Sequence, residues 1–114
     1  IVIMTENRNP KKITKVEASK VFSTGTSNEI CDALVSVTFY EEDWKWSQTQ
    51  CLHFLNHKNC DISGLAATCL GHIARIHHKL DKKIVIAALK TRLNDPNISG
   101  RVQDALDDID IFLK

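Results

Sequence analysis

Between Ile62 and Ile76, apolar side chains recur at Ile62, Ala66, Cys69, Leu70, Ile73 and Ile76. This is the spacing of an amphipathic helix with a broad apolar face. Small residues (Ala66, Ala67, Cys69, Gly71, Ala74) run through the same stretch, so a second helix can approach it closely. Shifted by 36 residues in either direction, the pattern returns, as Thr26–Val37 upstream and Ile98–Ile109 downstream. The columns Ile30/Ala66/Val102, Ala33/Cys69/Ala105, Leu34/Leu70/Leu106, Val37/Ile73/Ile109 and Tyr40/Ile76/Phe112 are apolar in all 15 positions. The second column stays small and the third is always Leu. Ser27, Ser63 and Ser99 share a column near each helix start, where a hydroxyl can cap open backbone N–H groups. A period of this length marks stacked supersecondary units.

The rest of the chain supplies a partner for each of these helices. Pro10 suits a first helical turn, and Ile13, Val16 and Val21 mark a short helix with a basic outer face. Ser23–Thr26 is a turn. The next helix spans about Ser27–Tyr40; its β-branched residues Val35, Val37 and Thr38 favour strand, and the repeat columns decide for helix. The acidic turn Glu41-Glu42-Asp43 suits a helix start, followed at helical spacing by Trp44, Gln48, Cys51, Leu52 and Leu55. Trp46 falls off that stripe. Asn56–Cys60 is a turn, and the central helix spans about Ser63–Leu80. Asp81 opens a helix carrying Ile84, Val85, Ala88, Leu89 and Leu93, which Asn94-Asp95-Pro96 ends. The last helix spans about Asn97–Phe112. The spacing therefore predicts an all-α chain: a tail over 1–9 and one domain over 10–114. Its helix-pair units cover about 10–40, 43–80 and 81–114. One pair cannot bury its own apolar stripe, but three stacked pairs can.

These residues resemble HEAT repeats. The family's second helix runs aliphatic, Ala-Ala, Leu-Gly, as Ile62…Ala66-Ala67…Leu70-Gly71…Ile73-Ala74 does here. Asp95-Pro96…Ile98…Val102…Ala105-Leu106 matches the family's Asp-Pro turn and the helix after it. The sequence departs from the family at Ser63 and Ser99, where an Arg often ladders to Asp in neighbouring repeats. The resemblance implies an α-solenoid of three HEAT-like pairs in a right-handed superhelix, with the second helices lining a concave face. The run Cys69–His77, followed by Gly100-Arg101 and Asp104–Ile109, is similar to small stand-alone bacterial HEAT proteins. Several of these resemble immunity factors of polymorphic toxin systems, including contact-dependent growth inhibition.

Bulk properties narrow the partners. A net charge of +1 provides no global field toward nucleic acid or an anionic membrane. No apolar run reaches the ~18 residues of a spanning helix, and Ile1-Val2-Ile3-Met4 is too short for a signal-peptide core, with Met4 an alternative start. The four cysteines, Cys31, Cys51, Cys60 and Cys69, contain no C-x-x-C pair and fit reduced, cytoplasmic usage. Cys31 and Cys69 fall on buried faces and Cys60 in a turn.

Candidate chemistry is sparse. His53 and His57 stand i, i+4, adequate for two metal ligands but without a third. His72, His77 and His78 flank a helix end. No cysteine has an identifiable base, and the four glycines form no phosphate loop. Lys11, Lys12 and Lys15, and Lys82 and Lys83, are basic clusters without aromatic interleaving, so nucleic acid is not the expected partner. The sharpest charge feature is Asp104, Asp107, Asp108 and Asp110. Asp104 and Asp108 are like charges at i, i+4, which cost a helix a few tenths of a kcal/mol, and they sit opposite Leu106 and Ile109.

The sequence therefore reads as a non-enzymatic protein-binding module without cofactor or metal. Its expected function is that of an immunity protein or antitoxin that plugs a cognate basic toxin domain, a nuclease, as a monomer or in a 1:1 heterocomplex. The alternative is an adaptor for a housekeeping partner. On the groove geometry borrowed from HEAT arrays, the partner-binding columns are Asp32/Thr68/Asp104, Val35/Gly71/Asp107, Ser36/His72/Asp108 and Phe39/Arg75/Ile111. From these, Asp32, Ser36, Thr68, His72, Arg75, Asp104, Asp107 and Asp108 are the candidate contacts. Glu42 joins them from the acidic turn, and so does Trp46, an expected exposed anchor.

Overall fold

The computed structural model describes residues 10–114; the tail expected over 1–9 lies outside the described residues. Among the described residues the chain is all-helical, with six helices and no strand. They are α1 (Lys15–Thr24), α2 (Ser27–Tyr40), α3 (Trp44–Phe54), α4 (Cys60–His77), α5 (Lys82–Lys90) and α6 (Ser99–Phe112). α1 packs on α2, α3 on α4 and α5 on α6, while α4 also packs on both α2 and α6.

The helix starts differ from the sequence expectation for a local reason. Pro10 lies outside the first helix, because Thr14 and Glu17 form a capping box that fixes the start at Lys15. Thr14 Oγ1 accepts from the Glu17 amide at 3.1 Å, and Glu17 Oε1 accepts from the Thr14 amide at 2.9 Å. Thr26 and Glu29 repeat the device for α2, at 3.2 and 2.8 Å. The serine column therefore caps nothing: Thr26, Asn59 and Ile98 occupy the cap positions. Ser27 and Ser99 are first helical residues, and Ser63 is buried inside α4. Asn59 Oδ1 accepts from the Asp61 and Ile62 amides, which draws Cys60 into α4 rather than into a turn. α4 ends at His77, three residues before the expected end, where His78 turns left-handed at φ 54°. α5 closes at Lys90 and Thr91–Asn94 are turns, so Leu93 is not helical and stands partly exposed.

The repeat columns order the core. Ile30/Ala66/Val102, Ala33/Cys69/Ala105 and Val37/Ile73/Ile109 are buried throughout. Leu34 and Leu70 are buried and Leu106 is half-buried. The fifth column does not hold, since Tyr40 stands 47% exposed where α2 ends. Val16 and Ile84, expected on apolar stripes, are exposed, each on a short first helix covered on one side. Cys31, Cys51 and Cys69 are buried, and no disulfide joins the four cysteines. The Cys51 thiol is held well above its ordinary range by its hydrogen bond with Cys69 and by burial.

Polar ties link the start of one first helix to the preceding one. Lys15 Nζ on α1 reaches Asp43 Oδ2, before α3, at 2.6 Å. Gln48 on α3 makes a reciprocal pair with Asp81, before α5: Nε2 donates to Oδ2 at 2.8 Å and the Asp81 amide donates to Oε1 at 2.7 Å. Lys45 adds a weaker pairing at 3.8 Å. Gln48 is 3% exposed, so its amide would be costly to bury without these partners.

The α4–α6 seam depends on glycine. A Cβ on Gly71 would stand 3.1 Å from Ala105 Cα, a backbone atom of α6, and 3.0 Å from Asp108 Oδ2. A Cβ on Gly64 would meet Arg101 side-chain atoms at 2.9 and 3.0 Å, and these can swing away. The two glycines should therefore respond oppositely to alanine. Gly64→Ala is expected to raise stability by about 0.5–1 kcal/mol through helix propensity. Gly71→Ala is expected to lower it by about 1–2 kcal/mol, because backbone must move. Ser63 Oγ is buried without a hydrogen-bond partner among the described residues, so Ser63→Ala should stabilise by about 1 kcal/mol. Urea unfolding of the three variants checks all three signs.

Candidate protein-binding face

The second helices of the three pairs, α2, α4 and α6, carry most of the candidate contacts. α4 lies between the other two, so side chains from three helices meet along one row. Phe39 on α2 lies over His72 on α4, with ring centroids 5.7 Å apart. Arg75, one turn along α4, places Nη2 2.6 Å from His72 Nδ1. A guanidinium has only donors, so His72 Nδ1 accepts and the imidazole proton sits on Nε2. Nε2 is buried and has no hydrogen-bond partner among the described residues. Burial first, and the neighbouring Arg75 charge second, push the His72 pKa down to about 4.

On α6, Asp108 lies against α4 at Gly71 and is half-buried, not opposite the core as expected. Its helical position one residue from Ile109 brings it to the seam, and the missing Cβ at Gly71 gives it room. Burial raises its pKa, Arg75 opposes that rise, and the carboxylates of Asp104 and Asp107 add to it. Asp104 and Asp107 are exposed, Asp107 accepting from Gln103 Nε2 at 3.0 Å. Thr68 is half-buried and donates to the Gly64 carbonyl at 3.2 Å. Asp32 is half-buried on α2. Exposed Phe39 (37%) and Ile111 (61%) supply apolar surface at the C-terminal ends of α2 and α6.

Two expectations change. Ser36 and His72 are only 1% and 4% exposed. Ser36 is covered because Lys11 crosses it and accepts its hydroxyl at 2.6 Å. Trp46 is half-buried rather than an exposed anchor, since Lys15 lies over its ring at 5.7 Å. Trp46 stands at the start of α3 beside Lys15 of α1, and exposed Glu42 lies in the turn between α2 and α3. The neighbour over Trp46 comes from a different pair, so helical spacing within α3 could not reveal it. His57 Nδ1 accepts from the Asn59 amide at 3.0 Å, which gives this histidine a turn-forming role. Among the described residues no three metal-ligating side chains gather, and no helix is long and apolar enough to cross a membrane.

No protein-family model matches the chain, and no curated protein matches it. Among solved structures, a chain from the crystal structure of the CDI complex from Cupriavidus taiwanensis LMG 19424 is similar at a TM-score of 0.88 and 30% identity. The match covers 96% of this chain and 99% of that one. The two are built on the same six-helix plan, and the chain belongs to the family of that CDI-complex component.

The His72 environment predicts a pH response. An imidazole whose folded pKa lies below its unfolded value near 6.5 favours the fold while neutral. Its contribution is complete above pH 6.5 and is lost as pH falls toward 4. The loss is about 3 kcal/mol for a shift of this size. Asp108, raised, works in the opposite sense at the acid end of the window. In wild type the His72 ring should stay neutral where an ordinary histidine titrates and reach its titration midpoint only at about pH 4. Chemical denaturation from pH 7 to 4.5 should show His72→Gln losing less stability than wild type.

Proposed function

We propose that this chain is an immunity protein, a non-enzymatic binder that neutralises a cognate toxin domain of a contact-dependent growth inhibition system. The near end-to-end likeness to a component of a CDI complex carries this reading. In this reading the three helix pairs stack as HEAT-like units in a right-handed superhelix, one domain over residues 10–114. The second helices α2, α4 and α6 face the toxin, with neither metal nor cofactor taking part. The immunity protein acts in the cytoplasm of the producing cell, as a monomer that forms a 1:1 heterocomplex.

The charge pattern supports a basic toxin, most concretely a nuclease. Such a toxin must be positive where it holds phosphates. Asp104, Asp107 and half-buried Asp108 on α6, with Asp32 on α2, offer it the complementary potential, which speeds encounter and covers the cleft. Between them Arg75 supplies hydrogen-bond donors and Thr68 an acceptor, and Phe39 and Ile111 supply apolar contact.

The test begins with the gene neighbourhood: a toxin domain encoded beside this chain's gene is the expected partner. Co-expression of the chain should rescue growth of cells making that toxin, and the purified proteins should bind one to one. A housekeeping adaptor would bind without protecting the cell. Asp104→Lys with Asp107→Lys, both at exposed positions, is expected to slow association about 10- to 100-fold in low salt, and added salt should slow the wild type in the same direction. Stopped-flow association rates check both. Rates indifferent to charge reversal and to salt would move the interface off α6.

A further inference from the structure

Phe39, Arg75 and Ile111 occupy the same repeat position on α2, α4 and α6. Arg75 is half-buried on the middle helix, and Phe39 and Ile111 are exposed on the helices either side of it. The Arg75 guanidinium is held from below. His72 Nδ1 accepts from its Nη2 at 2.6 Å, and Phe39 lies over the imidazole with ring centroids 5.7 Å apart. His72 itself is 4% exposed, so a partner cannot reach its ring. The contact uses only part of a guanidinium's donor set. Among the described residues Arg75 makes no other hydrogen bond and no ion pair. Asp108 feels the Arg75 charge without standing within ion-pair distance of it.

An arginine in the last turn of a helix complements the dipole whatever its orientation. The dipole does not explain a guanidinium oriented by a buried, neutral imidazole with its remaining donors unmatched. Fixing a long side chain costs rotamer entropy, and here His72 has fixed it before any partner arrives. The planar fork of a guanidinium matches a carboxylate bidentately. We propose that Arg75 is the anchor of this face for a carboxylate of the partner, and that buried His72 is the residue that positions it. The partner is the toxin of the immunity reading, on which this inference rests. Asp104 and Asp107 attract any basic surface, whereas Arg75 selects one that carries a carboxylate at this point. A surface without it would cover the guanidinium and strand its donors, and that cost discriminates against the wrong partner.

The test measures dissociation of the whole chain from its toxin domain, identified from the gene neighbourhood. Arg75→Lys keeps the charge and loses the fork. It is expected to speed dissociation about tenfold or more, with association changed by less than about twofold. His72→Leu keeps the burial and removes the acceptor, and is expected to speed dissociation about three- to tenfold. His72→Asn returns an oxygen acceptor near the place of Nδ1 and should restore a rate close to wild type. The two losses should not add: His72→Leu with Arg75→Lys should dissociate no faster than Arg75→Lys alone. Single changes of the toxin's Asp and Glu residues to Asn and Gln should reveal one that speeds dissociation from wild type but not from Arg75→Lys. A wild-type rate in Arg75→Lys, additive losses, or no coupled toxin carboxylate overturns the proposal. If wild type binds no toxin, the immunity reading fails instead, and with it the anchor. Positioning is still read in the free chain by NMR of labelled arginine. Arg75 Nη protons resolved by hindered rotation in wild type and averaged in His72→Leu support it, and line shapes alike in both overturn it.

Discussion

The close approach of α4 to α6 is the constraint on which the rest of the structure depends. At Gly71 the two backbones come near enough that one added carbon would stand 3.1 Å from Ala105 Cα. That approach is possible because α4 carries small residues at Gly64, Ala67, Gly71 and Ala74, spaced three and four apart along one side. The apolar residues Ile62, Ala66, Cys69, Leu70 and Ile73 are left to close the core with α2 and α3. Placed between its neighbours, α4 is buried over nearly its whole length, and its only half-open stretch near the middle is Thr68.

The same placement shapes the candidate binding face. With α4 drawn tightly against α6, Asp108 is pulled to the seam and its carboxyl partly desolvated, while Asp104 and Asp107 remain in water. On the other flank Phe39 from α2 covers His72, so the imidazole is held neutral and serves as the acceptor for Arg75. A positive guanidinium is thereby fixed in the middle of an otherwise acidic row. The face is apolar at two ends, acidic along α6 and carries one guanidinium at its centre, a composition suited to recognising a protein surface.

Polar ties also join successive first helices. Asp43 and Asp81 each precede a first helix and each accept from the first helix before it, from Lys15 in one case and from Gln48 and Lys45 in the other. The Lys15–Asp43 pair is solvent-exposed and contributes little by itself, though it holds the Asp43 carboxyl below its usual range. The buried Gln48 pair matters more, because removing either partner strands a polar group.

The sequence by itself determined the helical class and the periodic core. A 36-residue repeat with matched small and Leu columns admits few folds, and three of its five columns are buried at every position. The capping boxes Thr14…Glu17 and Thr26…Glu29 were legible too, as the T-x-x-E signature, and they place helix starts better than the serine column does. What tertiary structure alone decided lies between elements distant in sequence. Lys11 covers Ser36 and Lys15 covers Trp46, 25 and 31 residues away. Gln48 leaves an apolar stripe to bind Asp81, and Asp108 turns from solvent to the α4 seam. Helical periodicity reports which side of a helix is apolar. It holds no information about which neighbour arrives there, how closely, or which polar side chains that neighbour brings.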